Sequence, residues 1–269
     1  MNNAIFKTGI DVGSTTLKII VLDNENNIIY KNYVRHKADI NGTLIAELEA
    51  CKGAISKGAI NRAPTEPQLS INITGSAGMG VAERTQIPFI QEVIAAIEVI
   101  KTHYPDTHTL IDLGGEDAKI VFFEDGKQPD IRMNGSCAGG TGAFIDQMAD
   151  LMNIAVADLG TIARDYKKIY PIASRCGVFA KTDVQNLISR NIPQADLAMS
   201  ILQTVALQAV TTLVRGNRVA PKIICTGGPL TFIPALRAAF ANVLQLPENE
   251  MFLPENSEFF PAWGCALLN

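Results

Sequence analysis

The chain has 269 residues, of which 47% are apolar and 19% charged, and its net charge is −4. This length and composition fit a globular protein built as one large domain or two lobes. The acidic balance and the lack of a Lys/Arg cluster argue against a nucleic-acid binder. No apolar run predicts a membrane span, and the first residues begin no signal peptide. Five cysteines in such a chain indicate a reducing cytoplasm.

Three strands are predicted within residues 5–34, and a small polar turn at residues 13–16 joins the first two. A Gly-Ser-Thr turn exposes backbone N–H groups and hydroxyls that suit phosphate oxygens. Asp11 could hold a hydrated Mg²⁺, and Lys18 adds a positive charge close by. Ordinary hairpins use the same turn residues, so the turn alone is compatible with either interpretation.

The next predicted elements are a helix over residues 42–58, a strand over 69–74, a helix over 91–103 and a strand over 109–112. A glycine-rich turn at Gly75, Gly78 and Gly80 separates the second from the third of these elements.

Residues 111–121 repeat the opening stretch, and Asp112 lies 101 positions after Asp11. Each copy is strand, glycine turn, strand and acidic turn, which predicts two similar lobes whose turns could face one another. Chance likeness of two hairpins is the alternative. The identities in one register pair Asp11 with Asp112, Gly13 with Gly114, Lys18 with Lys119 and Ile19 with Ile120.

A third glycine element follows a long predicted helix over residues 196–215 and a strand over 222–225. Gly227 and Gly228 lie between that strand and a helix predicted to run to residue 243. A glycine pair at this position lets a flat ring or a ribose approach the backbone closely. The alternative is an ordinary turn between a strand and a helix. A terminal helix is predicted over residues 260–268.

Cys137 and Cys176 lie at the starts of two further predicted helices, where the helix dipole lowers a thiol pKa. Two thiolates are too few for an iron–sulfur cluster, which usually takes four, but two chains in a symmetric dimer would supply four. A redox pair within one chain and two inert thiols are the alternatives. Cys51, Cys225 and Cys265 fit buried structural thiols.

The order of these elements resembles the superfamily of acetate and sugar kinases, 70-kDa heat-shock ATPases and actin. Residues 11–18 match its first phosphate loop, 112–119 its second and 226–229 its adenosine loop. The resemblance implies an α/β fold of two ribonuclease H-like lobes with nucleotide in the cleft between them. Residues 1–95, with the helix of 255–269 packing back, would form the first lobe, and 96–254 the second.

Residues 134–149 and 174–183 resemble the signatures of the 2-hydroxyacyl-CoA dehydratase activators, also called component A or CoA-substrate-specific enzyme activases. The resemblance implies a cytoplasmic homodimeric ATPase that uses ATP/ADP and Mg²⁺ and holds one [4Fe-4S] cluster through Cys137 and Cys176 of each subunit. Electrons would pass from ferredoxin or flavodoxin to an iron–sulfur dehydratase or reductase, with no role for nucleic acid or membrane. Small-molecule kinases of this fold without a cluster, and ATP-dependent sensors or scaffolds, are the alternatives.

The resemblance also implies roles for individual residues. Asp11 and Asp112 would position Mg²⁺, and Glu116 or Asp112 would orient the attacking water. Glu92 is a further candidate for the metal region, or else a solvated helix residue. The residues expected to contact phosphate are Gly13, Ser14, Thr15, Thr16, Lys18, Gly114 and Gly115, and those expected to flank adenosine are Gly227 and Gly228.

Some positions depart from the stand-alone activators. Those proteins usually have Asp-Lys where this chain has Gly135-Ser136, and Gln at the position of Glu116. These variants look more like the activase domains of very large fused dehydratase-activase proteins, which leaves the partner enzyme open.

Overall fold

A computed structural model of the protein describes residues 5–59, 68–134, 140–174 and 176–269. The chain divides into two compact units. The first comprises Met1–Pro105 and Glu258–Asn269, and the second comprises Asp106–Ser257. Each unit has its own sheet and its own apolar core.

The first unit contains a four-stranded sheet in the order β3-β2-β1-β4. Strands β1 to β3 form an antiparallel meander, and β4 pairs with β1 in parallel. Strand β2 is almost wholly buried, as its largely apolar sequence predicts, and β1 is buried over most of its length although it includes polar residues. The elements are β1 Ile5–Val12, β2 Thr16–Leu22, β3 Ile28–Arg35, α1 Ile40–Ala59, β4 Gln68–Thr74, α2 Gly78–Thr85, α3 Glu92–His103 and α10 Phe260–Leu267.

The C-terminal helix α10 completes the first unit by packing on β1, β4 and α3. It is apolar around its circumference and buried almost throughout. Two polar contacts fix it to the sheet: Asn72 Nδ2 donates to Cys265 O at 3.1 Å, and Asn269 Nδ2 donates to Thr8 O at 3.0 Å.

The second unit repeats this sheet and adds a strand, in the order β7-β6-β5-β8-β9. Strands β5 to β7 form an antiparallel meander, and β8 is parallel to β5. The elements are β5 Thr109–Leu113, β6 Ala118–Phe122, β7 Asp130–Asn134, α4 Gly142–Leu151, α5 Val156–Ile162, α6 Gly177–Ser189, α7 Gln194–Leu213, β8 Ile223–Thr226, α8 Gly228–Phe232, α9 Pro234–Leu244 and β9 Met251–Phe252.

Helix α7 is the central helix of the second unit. Its length and apolar composition alone would suit a membrane span, although no span was predicted from the sequence. Most of its side chains are nevertheless buried among those of α4, α6 and α9. We therefore interpret α7 as a core helix of this unit.

The structure confirms the three strands within residues 5–34, the long helix and the terminal helix. The helix predicted to follow Gly228 differs, because it is divided into α8 and α9 at Ile233. Pro234 explains the division, since proline has no N–H to donate and its ring blocks the preceding turn, whereas it is well suited to begin a helix.

Candidate functional site

The two glycine turns predicted from the sequence repeat have the same backbone geometry. Gly13 N–H donates to Thr16 O at 2.9 Å between β1 and β2. Gly114 N–H donates to Asp117 O at 2.9 Å between β5 and β6. The sequence repeat is therefore also a structural repeat.

An aspartate and a lysine lie opposite each other beside each turn. Asp11 pairs with Lys18 across β1 and β2, and Asp112 pairs with Lys119 across β5 and β6. Lys18 Nζ lies 2.7 Å from Asp11 Oδ2, and Lys119 Nζ lies 3.3 Å from Asp112 Oδ2. Each aspartate ends up buried at the C-terminal end of a central strand.

The structural repeat also includes the parallel strand next to each central strand. The sequence analysis did not predict this correspondence. Thr74 on β4 lies beside Asp11, and Thr226 on β8 lies beside Asp112. A turn follows each threonine at once. The sequence identity between the two segments is little more than the dipeptide Thr-Gly, which is too short to find by inspection.

Gly75 and Gly227 begin these turns with φ of +94° and +87°. A Cβ on Gly75 would lie 2.3 Å from Val12 O, and one on Gly227 would lie 2.0 Å from Leu113 O. Both positions therefore require glycine on two grounds, namely the positive φ and the close approach of the neighbouring strand.

The first turn has hydroxyl groups and one lysine with one close carboxylate. Ser14 is half-buried, Thr15 is exposed and Thr16 is buried. Burial disfavours the Lys18 ammonium, but the charge and hydrogen bond of Asp11 outweigh it, with smaller contributions from groups that include Glu92, so the pKa of Lys18 lies above its ordinary value. Lys18 is therefore a permanent cation beside the turn.

The second turn has the opposite electrostatic character. Lys119 is 2% exposed, and its Nζ lies 2.8 Å from Asp117 Oδ2 as well as beside Asp112. Glu116, in the same turn, is exposed. Two carboxylates therefore contact one buried ammonium, and the exposed Glu116 adds a further negative charge to the same turn. A turn with this excess of negative charge suits a cation or a polarised water. The sequence analysis did not identify Asp117. Its position between Glu116 and Lys119 is the one signal that could have indicated it.

Helix α4 begins directly on the second turn. Gly142 N–H donates to Gly114 O at 2.9 Å, and Ala143 N–H donates to Gly115 O at 2.7 Å. A Cβ on Gly142 would also come within 3.0 Å of Pro229 Cγ. The first turn of α4 thus contacts both glycine elements of the second unit.

The Asp11 carboxylate has one oxygen committed to Lys18 and one open. Asp11 is 1% exposed, and its Oδ1 has no hydrogen-bond partner among the described residues. A buried carboxylate oxygen without a donor is suited to a cation or to its bound water. Within the described ranges no three His, Cys, Asp or Glu side chains gather as a complete metal site. A single carboxylate still fits Mg²⁺, which usually keeps several of its waters.

Cys176 is the N-cap of α6 and is half-buried. The first turn of that helix exposes Val178 and Phe179, which are 72% and 66% accessible. Cys137 lies outside the described residues, and the helix predicted to open near it begins at Gly142.

Side chains of α6 and α7 form hydrogen bonds with the irregular segment that precedes Cys176. Asp196 accepts hydrogen bonds from the backbone N–H groups of Lys167 and Lys168 at 2.7 and 3.1 Å. Asp183 on α6 accepts from Ala173 N–H at 2.9 Å. Without neighbouring strands, these backbone donors depend on the side chains of α6 and α7.

The other three cysteines are confirmed as buried thiols. Burial raises the pKa of Cys51 to about 11 and the pKa values of Cys225 and Cys265 to about 12. Such thiols are protonated at neutral pH and make poor metal ligands.

Comparison with known proteins agrees with these features. The chain is 29% identical over 227 residues to the (R)-2-hydroxyglutaryl-CoA dehydratase activating ATPase of Acidaminococcus fermentans, covering 84% of this chain and 83% of that protein. The crystal structure of component A of that dehydratase superposes with a TM-score of 0.84 at 27% identity, covering 98% of this chain and 97% of the other.

The activator of the 2-hydroxyisocaproyl-CoA dehydratase from Clostridium difficile, solved with bound ADPNP, superposes with a TM-score of 0.80 at 25% identity, covering 98% and 93% of the two chains. These matches confirm the actin-like ATPase fold and the family resemblance seen in the sequence. Residues 8–269 match the family model. The chain therefore belongs to the BadF/BadG/BcrA/BcrD ATPase family.

Proposed function

We propose that this ATPase hydrolyses ATP to drive a low-potential electron from a [4Fe-4S] cluster, shared by two copies of the chain, to a partner iron–sulfur enzyme that acts on a CoA thioester. Family membership and the dehydratase activators among its relatives support the general activity. The observation that carries the proposal is the pair of hydrogen bonds from the start of α4 to Gly114 and Gly115. They connect a candidate nucleotide turn to a helix that begins five residues after Cys137 in the sequence.

The first turn would bind the β- and γ-phosphates of ATP. Gly13, Ser14, Thr15 and Thr16 would supply backbone N–H groups and hydroxyls, and Lys18 would add its positive charge. Asp11 would hold Mg²⁺ through its open oxygen, directly or through water. When bound, Mg²⁺ neutralises phosphate charge and so favours attack at the γ-phosphorus.

The second turn would orient the water that attacks ATP. Asp112 uses both carboxylate oxygens, Oδ2 beside Lys119 and Oδ1 on the Thr226 hydroxyl at 3.0 Å. Glu116 is exposed on the same turn. We therefore favour Glu116 over Asp112 for orienting the water that attacks ATP to give ADP and phosphate. Gly227 and Gly228, which lie between β8 and the body of α8, would flank the adenosine.

The second turn would also transmit the nucleotide state. Its backbone carbonyls hold the N-terminus of α4, and Gly142 lies against Pro229 of the adenosine loop. A shift of either glycine element is therefore passed to α4, five residues beyond Cys137 in the sequence. A changed helix position would alter the surroundings of a bound cluster, which tune its potential.

The cysteines would provide a thiolate set that suits iron. Cys176 is half-buried at a helix N-terminus, where the dipole favours an anion, while Cys51, Cys225 and Cys265 are buried and protonated. Cys137 and Cys176 from each of two copies would supply the four ligands of one cluster. The cluster, when bound, supplies the one-electron carrier. Ferredoxin or flavodoxin in the cytoplasm would be the donor.

Iron and sulfide analysis of anaerobically purified protein tests this proposal. We expect about four irons and four sulfides per two chains. Cys176→Ala should lose the iron and retain ADP binding, whereas the matched control Cys225→Ala should retain both. An iron-free monomer that hydrolyses ATP, or that phosphorylates a small molecule, would contradict the proposal. Unchanged iron in Cys176→Ala would contradict the ligand assignment.

A further inference from the structure

His36 directly follows β3, contacts the first glycine turn and is 4% exposed. Its backbone N–H donates to Thr15 O at 3.3 Å, and its ring Nε2 lies 3.1 Å from Gly13 O. One histidine thus contacts two of the carbonyl groups of the turn. The turn motif in the sequence does not indicate this contact, because His36 follows the turn by some twenty positions.

The second ring nitrogen determines the tautomer. Ala38 N–H donates to His36 Nδ1 at 3.2 Å. A backbone N–H can only donate, so Nδ1 must be unprotonated and the ring proton must lie on Nε2. His36 is therefore neutral and donates Nε2–H to Gly13 O.

The backbone that follows His36 is locally strained where it makes this contact. Lys37 and Ala38 have φ of +47° and +69°, and Asp39 N–H closes the turn onto His36 O at 2.7 Å. Positive φ at two consecutive residues with a Cβ costs about 1 kcal/mol or more for each of them. The strained turn is what directs Ala38 N–H at the ring.

The contact with Gly13 sets the direction of the next amide. In a planar trans peptide the C=O and the following N–H point in opposite directions. Because Gly13 C=O is directed at the buried imidazole, Ser14 N–H is directed away from it. Gly13 N–H meanwhile closes the turn onto Thr16 O. The orientation of Ser14 N–H therefore depends on His36.

We propose that His36 is a positioning residue for nucleotide binding: its Nε2–H holds the Gly13 carbonyl so that Ser14 N–H faces the phosphates. This inference rests on the proposed function of the first turn, and it adds to that function a residue outside the turn. His36 touches no phosphate itself and acts through the Gly13–Ser14 peptide.

Two amide variants separate the two ring contacts. His36→Gln places a donor at the position of Nε2, and His36→Asn places an acceptor at the position of Nδ1. We expect His36→Gln to keep the dissociation constant for MgADP and the KM for ATP within about threefold of the original protein. His36→Asn should raise both constants about tenfold with little change in kcat, as loss of one hydrogen bond to a buried carbonyl implies.

A measurement on the unmodified protein guards against variants that fail to fold. The chain has only three histidines, so ¹⁵N-histidine spectra can be assigned. We expect the Nε2–H tautomer for His36 and a shift of its Nε2 signal when MgADP binds. A protonated ring, an Nδ1–H tautomer or a signal indifferent to MgADP would overturn the inference.

The outcomes also distinguish the inference from the proposed function. If the unmodified protein binds MgADP and both variants bind it equally well, the role of His36 is wrong and the first turn is still a phosphate site. If the unmodified protein binds no MgADP, the proposed function fails, and the role of His36 fails with it.

Discussion

The Asp112 carboxylate accepts a hydrogen bond from the Thr226 hydroxyl at 3.0 Å, and both side chains are buried. The corresponding oxygen of Asp11 in the first unit has no hydrogen-bond partner among the described residues. Two aspartates at equivalent positions of one repeat therefore have different surroundings. Both oxygens of Asp112 have partners, whereas one oxygen of Asp11 has no donor among the described residues and is suited to a ligand.

Asp11→Asn should weaken Mg²⁺-dependent ADP binding by about tenfold or more, because it removes the charge and the open oxygen that suit the cation. Calorimetric titrations with ADP at several Mg²⁺ concentrations would measure this. Binding without Mg²⁺ should change little. Asp125→Asn removes an equal charge from an exposed turn and is the matched control. Equal Mg²⁺ dependence in Asp11→Asn and the original protein would rule out this metal role.

Lys119→Met should lower the free energy of unfolding by about 3–5 kcal/mol, because it leaves Asp112 and Asp117 without their buried cation. Urea denaturation would measure the loss. The double variant Asp117→Asn/Lys119→Met should recover part of it, since one carboxylate charge is then removed. Lys127→Met, which breaks an exposed ion pair with Glu124, is the control and should leave stability unchanged. Equal stability of both lysine variants would contradict this interpretation.

Gly75→Ala and Gly227→Ala should each destabilise the protein by about 3 kcal/mol or more, since the new methyl group meets the backbone of the neighbouring strand. Gly126→Ala is the matched control: its φ is +72°, but nothing lies within 4 Å of the added carbon. That variant should lose only about 1 kcal/mol from backbone strain. Urea unfolding of the three variants separates steric clash from strain, and three equal losses would show that the close approach is unimportant.

Alkaline pH should destabilise the protein through its buried thiols. Burial raises the pKa values of Cys51, Cys225 and Cys265 from 9.0 to about 11, 12 and 12. Below pH 9 the folded and unfolded chains both keep these protons. Above pH 9 the unfolded chain releases them and the folded chain does not, so the free energy of unfolding falls by up to about 1.4 kcal/mol per pH unit for each thiol.

Urea unfolding in reductant at pH 8 and pH 10.5 would measure this pH dependence. Cys225→Ala removes one of the three thiols and should reduce the slope by its share. A slope equal to that of the original protein would show that Cys225 titrates alike in both states.

Part of this architecture can be read from the sequence because the information is local. The Asp-Gly-Lys spacing revealed two hairpins, and the structure places Asp11 beside Lys18 and Asp112 beside Lys119 in the expected way. The split of the helix after Gly228 was not predicted, although Pro234 marks it in the sequence.

The remaining features depend on contacts between distant parts of the chain. The match between Thr74 and Thr226 appears only when β4 and β8 pair with the central strands. His36 reaches Gly13 because β3 folds back along β2. The charge around Lys119 depends on which neighbouring carboxylate turns inward, and Asp117 rather than Glu116 does so.

Control of a cluster by the nucleotide is the central claim, and the rate of iron release to a chelator tests it most directly. Anaerobically prepared protein would be mixed with an iron chelator in the presence of ADP or of ADPNP, and iron release followed by absorbance. We predict clearly different rates in the two nucleotide states, because the glycine turn at Gly114 and Gly115 holds the start of α4. Equal rates in protein that binds both nucleotides, or protein that carries no iron, would contradict the account.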